Sequence, residues 1–397
     1  MFQLDRLSYN MDIYVAAGNA RRRAAGRLPA GAGSDRGSGA EPRSGPGSDQ
    51  RGVQMQSRSR YDRRQVVSGL LAGAVAAGTA GRAAAQSSPV YTMKVATLTL
   101  NDAQHEWMRI FSGLVESGSG GRIKVELYPA GQLGSAARSI EGTQFGSIQA
   151  FVVPPEFLSG VDSRFEVLGA PGVFKDLEHA NRTLQAPEFN KAFLALGANK
   201  GLKGIGVFIN DAAAFNSRAK IEKLADFKGR KFRVLASAIQ MEQLAKLGAT
   251  GVPMSLGEVL PALQQGTIDG VMSGLPVLTA LRFYDAAKFF LDSDHAMVTV
   301  VTVVSKMWYD KLPKDLQAVI DDAGQKASVQ VFPWAVEFAA KQRVAWVAAG
   351  GTITKLSPDE QRELMSLLRP IGPAVTSKSP GEKALFDLML KTADTVA

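Results

Sequence analysis

From residue 226 to residue 274 the chain alternates strand and helix signals so regularly that few folds can accommodate it. The run Lys231–Val234 interleaves charged and apolar residues, the period of a half-buried strand. Residues 240–247 have helical spacing and stop at Gly248, a residue type that enters the left-handed region cheaply. Ser255-Leu256-Gly257-Glu258 then has the spacing of a capping box, in which a hydroxyl and a carboxylate three residues apart satisfy each other's backbone amides. The helix it opens ends at Gly266, and 267–272 reads as another short strand. Strand–helix–strand–helix alternation predicts an α/β fold with a mostly parallel sheet. In such sheets ligands collect beyond the carboxyl ends of strands, which makes Arg233, near the end of its strand, the leading candidate for ligand contact. By residue type alone it is better explained as a solvated edge residue, because arginine is seldom fully buried.

The same segment carries D-F-K-G-R-K-F-R-V at 226–234 and L-G-A-T-G-V-P-M-S-L-G-E-V-L-P-A-L-Q-Q-G-T-I-D-G at 247–270. In order and spacing these runs resemble the DctP-type periplasmic solute-binding proteins of TRAP (tripartite ATP-independent periplasmic) transporters. The resemblance implies a two-lobed periplasmic binding protein fold with a ligand cleft between the lobes and a long helix spanning both. It implies lobe I at 86–210 with 298–332, and lobe II at 211–297 with 333–397. It also makes Arg233 a binding arginine, whose planar fork of donors matches a carboxylate bidentately. The implied function is capture of a small organic acid for delivery to the membrane subunits of a TRAP transporter. A periplasmic enzyme or ligand sensor using the same cleft is the alternative.

The opening of the folded part resembles the same family, from T-L-T-L-N-D-A-Q-H through S-G-G-R-I-K-V-E-L-Y-P-A-G-Q-L-G. Residues 93–100 read as a buried strand, and Asn101-Asp102 can cap a helix carrying Trp107, Phe111 and Val115 on one stripe. The loop at 101–105 would face the cleft, placing Asn101 and His105 where a helix N-terminus offers free N–H groups to an anion. Loop-like stretches with aromatic residues at 151–157 and 169–174 add Pro155 and Phe174. The second resembles the family's P-F-L-F element, with Gly172 standing where the first aromatic would be. Strands at 204–210 and 298–304 are expected to cross between lobes, so Asn210 and Phe215 join the candidates at the first crossing. A largely helical stretch from 312 to 350 should be kinked or interrupted at Pro333.

Two departures from the family pattern bear on the ligand. Where family members have D-G-Q-E-N-P, with an asparagine that contacts the ligand, this chain has Asp269-Gly270-Val271-Met272-Ser273-Gly274. Contact there falls to Ser273, Gly274 and Leu275. The second basic residue that many members carry just after the first crossing is missing from Asp211-Ala212-Ala213-Ala214-Phe215-Asn216. A site with one arginine and neighbours of this kind suits a monocarboxylate with an apolar or aromatic body.

Charge excludes one functional class. Residues 1–85 hold 13 Lys and Arg against 6 Asp and Glu, whereas the remainder holds 33 against 31. The net charge of +9 is therefore an amino-terminal property, and no phosphate-binding surface or nucleic-acid partner is expected of the folded part. Residues 1–60, rich in Arg, Gly, Ser and Pro, read as a disordered basic segment or as the product of an upstream start site, with Met55 close to the next signal. Arg63-Arg64, the small apolar run 66–80 and Ala83-Ala84-Ala85 read as a twin-arginine-like export signal cleaved after Ala85, placing the protein in the periplasm. The apolar run is short for a membrane span, which needs about 20 residues.

Catalytic signatures are few. Cysteine is absent, which removes thiol chemistry and Cys-ligated metals. The three histidines, His105, His179 and His295, lack metal-ligand spacing, and His179 and His295 read as surface residues. There is no P-loop and no G-x-S-x-G elbow, and the glycine-rich run at 201–206 precedes a strand instead of following one. No cofactor, metal or enzymatic activity is expected.

Overall fold

The computed structural model describes residues 90–396. The export signal expected within 1–85 lies outside them. The chain opens with β1 (Tyr91–Thr97), α1 (Ala103–Gly118), β2 (Ile123–Tyr128), α2 (Ala136–Gln144) and β3 (Ala150–Val153). Asp102 caps α1 by accepting from the His105 amide, and β1 pairs in parallel with both β2 and β3. Short 3-10 turns at Pro155–Leu158 and Ser163–Gly169 lead to α3 (Leu177–Gln185) and α4 (Pro187–Leu194).

The 16-residue β4 (Leu202–Ser217) carries the chain to a second parallel unit. It comprises β5 (Lys231–Val234), α5 (Ala238–Lys246), β6 (Thr250–Pro253), α6 (Leu256–Gln265), β7 (Gly270–Ser273) and α7 (Leu275–Ala280). The cap and stop signals here are realised, while the last strand begins at Gly270, three residues later than expected. Gly248 and Gly266 adopt φ of 71° and 73° behind their helices, and Ser255 and Glu258 form the capping box. The 17-residue β8 (Phe289–Ser305) returns. It is followed by α8 (Lys306–Tyr309), the 35-residue α9 (Lys314–Ala348), β9 (Thr352–Thr354), α10 (Pro358–Leu368), α11 (Ile371–Thr376) and α12 (Pro380–Thr395).

All nine strands join one sheet, in the order β2-β1-β3-β8-β4-β7-β5-β6 with β9 on β8. The pairing is parallel within each half but antiparallel at β3–β8, β8–β4 and β4–β7. A mostly parallel sheet is therefore correct for each half and wrong for the centre, where two long strands run out and back. Each long strand belongs to both halves. Residues 301–304 of β8 pair with β3 while its 289–291 end pairs with β9, and β4 pairs with β7 only through 214–217. The expected crossings at 204–210 and 298–304 are thus the first-half portions of longer strands. The register between them shifts at Ile209/Asp211 and again at Ala213/Phe215, where β8 accommodates Asp292, Ser293, Asp294 and His295. This polar insertion hides the strand from a hydrophobic-period reading.

Packing fixes α9 against both halves. The α1 stripe of Trp107, Phe111 and Val115 is wholly buried with Leu316, Ile320, Ala323 and Ala327 of α9. Trp107 Nε1 donates to Ser328 Oγ at 3.1 Å. Helix and strand approach so closely that a Cβ on Gly324 would lie 2.3 Å from the Ile205 carbonyl oxygen. At its other end, Trp346 is buried against Tyr284 and Phe290, and Arg343 grips Asp292 with two hydrogen bonds of 2.7 and 3.1 Å. Pro333 does not interrupt the helix. It lies on the exposed face, as does Val329, so the carbonyl that loses its intrahelical partner is on the side open to water.

One carboxyl-terminal helix, α12, departs from the expected grouping of 333–397 with lobe II. α12 packs on α3, α4 and the Ser163–Gly169 turn, all first-half elements, while α11 packs on α5. His179 shows the cause. It is buried, not a surface residue; it accepts from the Lys175 amide through Nδ1 at 3.0 Å and donates through Nε2 to the Ala393 carbonyl at 2.8 Å.

Gly324→Ala is expected to destabilise the protein by about 1–3 kcal/mol, because the added methyl meets backbone that cannot step aside. Chemical denaturation measures this; a stability equal to that of the parent would show that α9 can lift from β4 at no cost.

Candidate functional site

Among the described residues a partly enclosed cavity lies between the two halves, at the carboxyl ends of β1, β3, β5 and β7, and offers about 50 Å³ to the centres of water-sized molecules. The first half supplies Leu98, Thr99, Gln104, Pro154, Glu156 and Phe157; the crossing strands supply Asn210, Ala213 and residues 295–298. The second half supplies Arg233, Leu235, Gln240, Gln243, Leu256, Met272, Ser273 and Val277.

Arg233 dominates the electrostatics. The expectation of a half-buried strand is wrong at its far end, since Phe232, Arg233 and Val234 are all buried. Arg233 is 3% exposed. Its side-chain hydrogen bond is from Nε to the Met254 carbonyl, at 3.1 Å, and its guanidinium carbon stands 6.0 Å from the Phe157 ring centre. Among the described residues no carboxylate pairs with it. Burial lowers its pKa to about 10, which leaves it charged at neutral pH. Among the described residues it is the one guanidinium or ammonium group lining the cavity, and His295 does not add a second charge. Burial pushes His295 down to about 3, so the ring is neutral.

Of the residues singled out by sequence, Arg233, Asn210 and Ser273 line the cavity. Asn210 is the extra residue at a register shift in β4, and both its amide atoms are buried without a partner. The others are placed elsewhere. Asn101, at φ 56°, lines an open depression that shares Leu98 and Leu256 with the cavity, and its backbone amide donates to His105 Nδ1 at 3.3 Å. Pro155 is buried in the turn beneath the cavity wall, between Pro154 and Glu156. Phe174 packs edge-on to His179, their ring centres 6.2 Å apart. Phe215 lies one layer behind, stacked on His295 at 4.7 Å.

Gly274 and Leu275 are claimed by Asp211. A Cβ on Gly274 would come within 2.8 Å of the Asp211 Cβ, and the Leu275 amide donates to Asp211 Oδ2 at 3.0 Å. Burial raises Asp211 to about 6, opposed by the Arg343 charge and by backbone hydrogen bonds. The glycine at position 172 has a structural reason. At φ 66°, a Cβ there would lie 2.6 Å from the Arg369 side chain, while its amide ties the loop to the His295 carbonyl at 2.9 Å.

Three cavity residues with unpartnered polar atoms escaped the sequence reading. His295 is 1% exposed, correcting its reading as a surface residue, with Nδ1 2.8 Å from Ser293 Oγ and Nε2 unpartnered. Glu156 is wholly buried, and its Oε2 makes no hydrogen bond. Gln243 donates from Nε2 to the Gly169 carbonyl at 3.1 Å, leaving Oε1 without a partner. Available signals were a carboxylate inside the apolar run F-V-V-P-P-E-F-L and a glutamine on the buried stripe of Ile239 and Leu244. Among the described residues no group of metal-ligating side chains is assembled.

Desolvation pushes Glu156 up to about 8, and the nearby Glu166 charge adds to the rise. Below its ordinary value of 4.5 both folded and unfolded chains carry the proton; from there to about pH 8 only the unfolded chain ionises, so stability drains away as pH rises. Glu156→Gln removes that dependence. It is expected to gain on the parent by up to about 1.4 kcal/mol per pH unit across that window, and no further above it. Urea unfolding of the ligand-free proteins at a series of pH values checks this; parallel curves would show Glu156 ionised in the fold.

The family model for bacterial extracellular solute-binding protein, family 7 (DctP) matches residues 95–378. The 2,3-diketo-L-gulonate-binding periplasmic protein YiaO of Escherichia coli is 29% identical over 57% of this chain and 69% of its own length. The C4-dicarboxylate-binding periplasmic protein DctP of Rhodobacter capsulatus is 26% identical over 76% and 91%. The chain spans about two thirds of the first curated relatives, 66% of one from Salmonella typhimurium. A TRAP periplasmic solute-binding protein from Desulfovibrio salexigens, solved with bound orotic acid, superposes with a TM-score of 0.74 at 25% identity, over 77% of this chain and all of that one. These neighbours are two-lobed binding proteins, and their family is periplasmic. With its crossing strands, its interlobe cavity and its long helix, the chain belongs to the bacterial extracellular solute-binding proteins of family 7.

Proposed function

We propose that the protein is the periplasmic solute-binding component of a TRAP-type secondary transporter, holding a small organic acid by its carboxylate and delivering it to the membrane subunits. One observation carries this reading: a buried arginine faces the interlobe cavity and has no acidic partner among the described residues. A buried charge is costly unless paired, and a carboxylate from solution supplies the pair with two parallel hydrogen bonds. The relatives support it, since the bound or named solutes include orotic acid, a C4-dicarboxylate and 2,3-diketo-L-gulonate. The role is one of binding and release. The lobes meet near residues 210 and 298 and close about β4 and β8, as hinged periplasmic binding proteins do. Export follows a twin-arginine-like signal at Arg63-Arg64 with cleavage after Ala85.

A single cation favours one carboxylate over two. A second ligand anion would meet no positive group in the cavity and would face Glu156. The apolar walls suit a ligand with a hydrocarbon body. However, the unpartnered polar atoms of Glu156, Asn210, Gln243 and His295 argue against a body that is apolar throughout.

Arg233→Ala is expected to weaken binding of the acid that co-purifies with the native protein by at least tenfold. Arg233→Lys, which keeps the charge and loses the fork, should fall between. Native mass spectrometry identifies the acid, and calorimetry on stripped protein measures the change; unaltered affinity in Arg233→Ala would overturn the reading.

A further inference from the structure

Besides the guanidinium, two buried side chains from opposite halves line the cavity and converge on Gly169. Glu156, on the turn after β3, lays its Oε1 3.1 Å from where a Gly169 Cβ would be. Gln243, on α5, donates from Nε2 to the Gly169 carbonyl at 3.1 Å. Their exposures are 2% and 1%, both residues line the cavity, and each leaves one oxygen unpartnered, Oε2 of Glu156 and Oε1 of Gln243. Buried polar atoms ordinarily find partners, so two orphans on cavity residues that meet the same glycine mark a contact that the ligand completes.

The two oxygens ask for different things. The Gln243 amide is oriented by its bond to Gly169, so Oε1 is presented as an acceptor. Glu156 has no cation to balance it, and Glu166 approaches as a like charge whose own Oε2 is occupied by Ser237 Oγ and the Ile239 amide. It therefore keeps its proton at neutral pH and offers an O–H donor. A ligand hydroxyl answers both, donating to Gln243 Oε1 and accepting from Glu156. An ammonium can donate but cannot accept.

We infer that Glu156 and Gln243 form a second recognition point, which selects carboxylic acids bearing a neutral hydroxyl in addition to the carboxylate. This rests on the carboxylate reading of Arg233. Because one partner comes from each half, the hydroxyl also bridges the cleft, so its contacts are completed only when the lobes are closed.

The test is calorimetry of the stripped full-length protein with butanoate, 4-hydroxybutanoate and 4-aminobutanoate, and with phenylacetate and 4-hydroxyphenylacetate. The hydroxylated member of at least one pair is expected to bind tenfold or more tightly than its parent. Glu156→Gln, a neutral side chain that still donates, should keep that preference within about threefold. Glu156→Leu and Gln243→Met should each abolish the preference while the unsubstituted acid still binds; this within-protein comparison also controls for any loss of folded material. Equal affinities within both pairs, or a preference surviving in Glu156→Leu, would overturn the inference and leave the role of Arg233 intact. Tighter binding of 4-aminobutanoate than of 4-hydroxybutanoate, lost in Glu156→Gln, would show an ionised Glu156 and also overturn it. Absence of binding by every acid would count against the carboxylate reading itself, and the inference would fall with it.

Discussion

The pairing of β4 with β8 is the constraint on which everything else hangs. It runs from Leu202 opposite Ser305 to Ser217 opposite Phe289, so two parallel units that share no short connection are held in one sheet. Antiparallel strands of this length could slip in register, but the flanking strands prevent it. β3 pins one end through 301–304 and β7 pins the other through 214–217. Between the pins, bulges release a few residues from the ladder, and those residues, Asn210 and His295 among them, become the cavity floor. The same irregularity that spoils the sheet builds the site.

Charge is distributed around this site with economy. Of the buried ionisable groups around the cavity, His295 is neutral and three others are each handled differently. Arg233 stays charged and unpaired by protein acids, Glu156 is driven neutral, and Asp211 is turned away to the amide of Leu275. The result is a cavity with one strong anion-seeking group and otherwise neutral donors and acceptors. Such a lining discriminates by counting charges on the solute before it reads their arrangement.

Much of the second parallel unit could be read directly from the chain because its signals are local. Lys231–Val234 was legible to the residue, and Gly248, Ser255 and Gly266 punctuate helices through backbone geometry that needs no tertiary partner. Arg233 was legible as a candidate through its place at a strand end, but its burial was not, since the neighbours that cover it arrive from elsewhere in the chain. Glu156, Gln243 and His295 were missed for the same reason. Whether a polar residue faces water or a closed cavity depends on how two lobes meet. The contacts of Leu275 with Asp211 and of Asn101 with His105 were likewise not displayed by the sequence pattern.

The long helix is fastened to each half and weak between the fastenings. Close to its midpoint Ser328 holds Trp107 of the first half; near its carboxyl end Arg343 holds Asp292 where the crossing strand bulges. Both attachments are directional, so neither fastened segment can swivel freely when the lobes turn relative to one another. The twist must be taken up along the intervening four turns or so, and there Pro333 has already removed one rung of the hydrogen-bond ladder. A residue that looks like a defect in the helix thus marks the compliant link of a strut, the place where elastic deformation costs least.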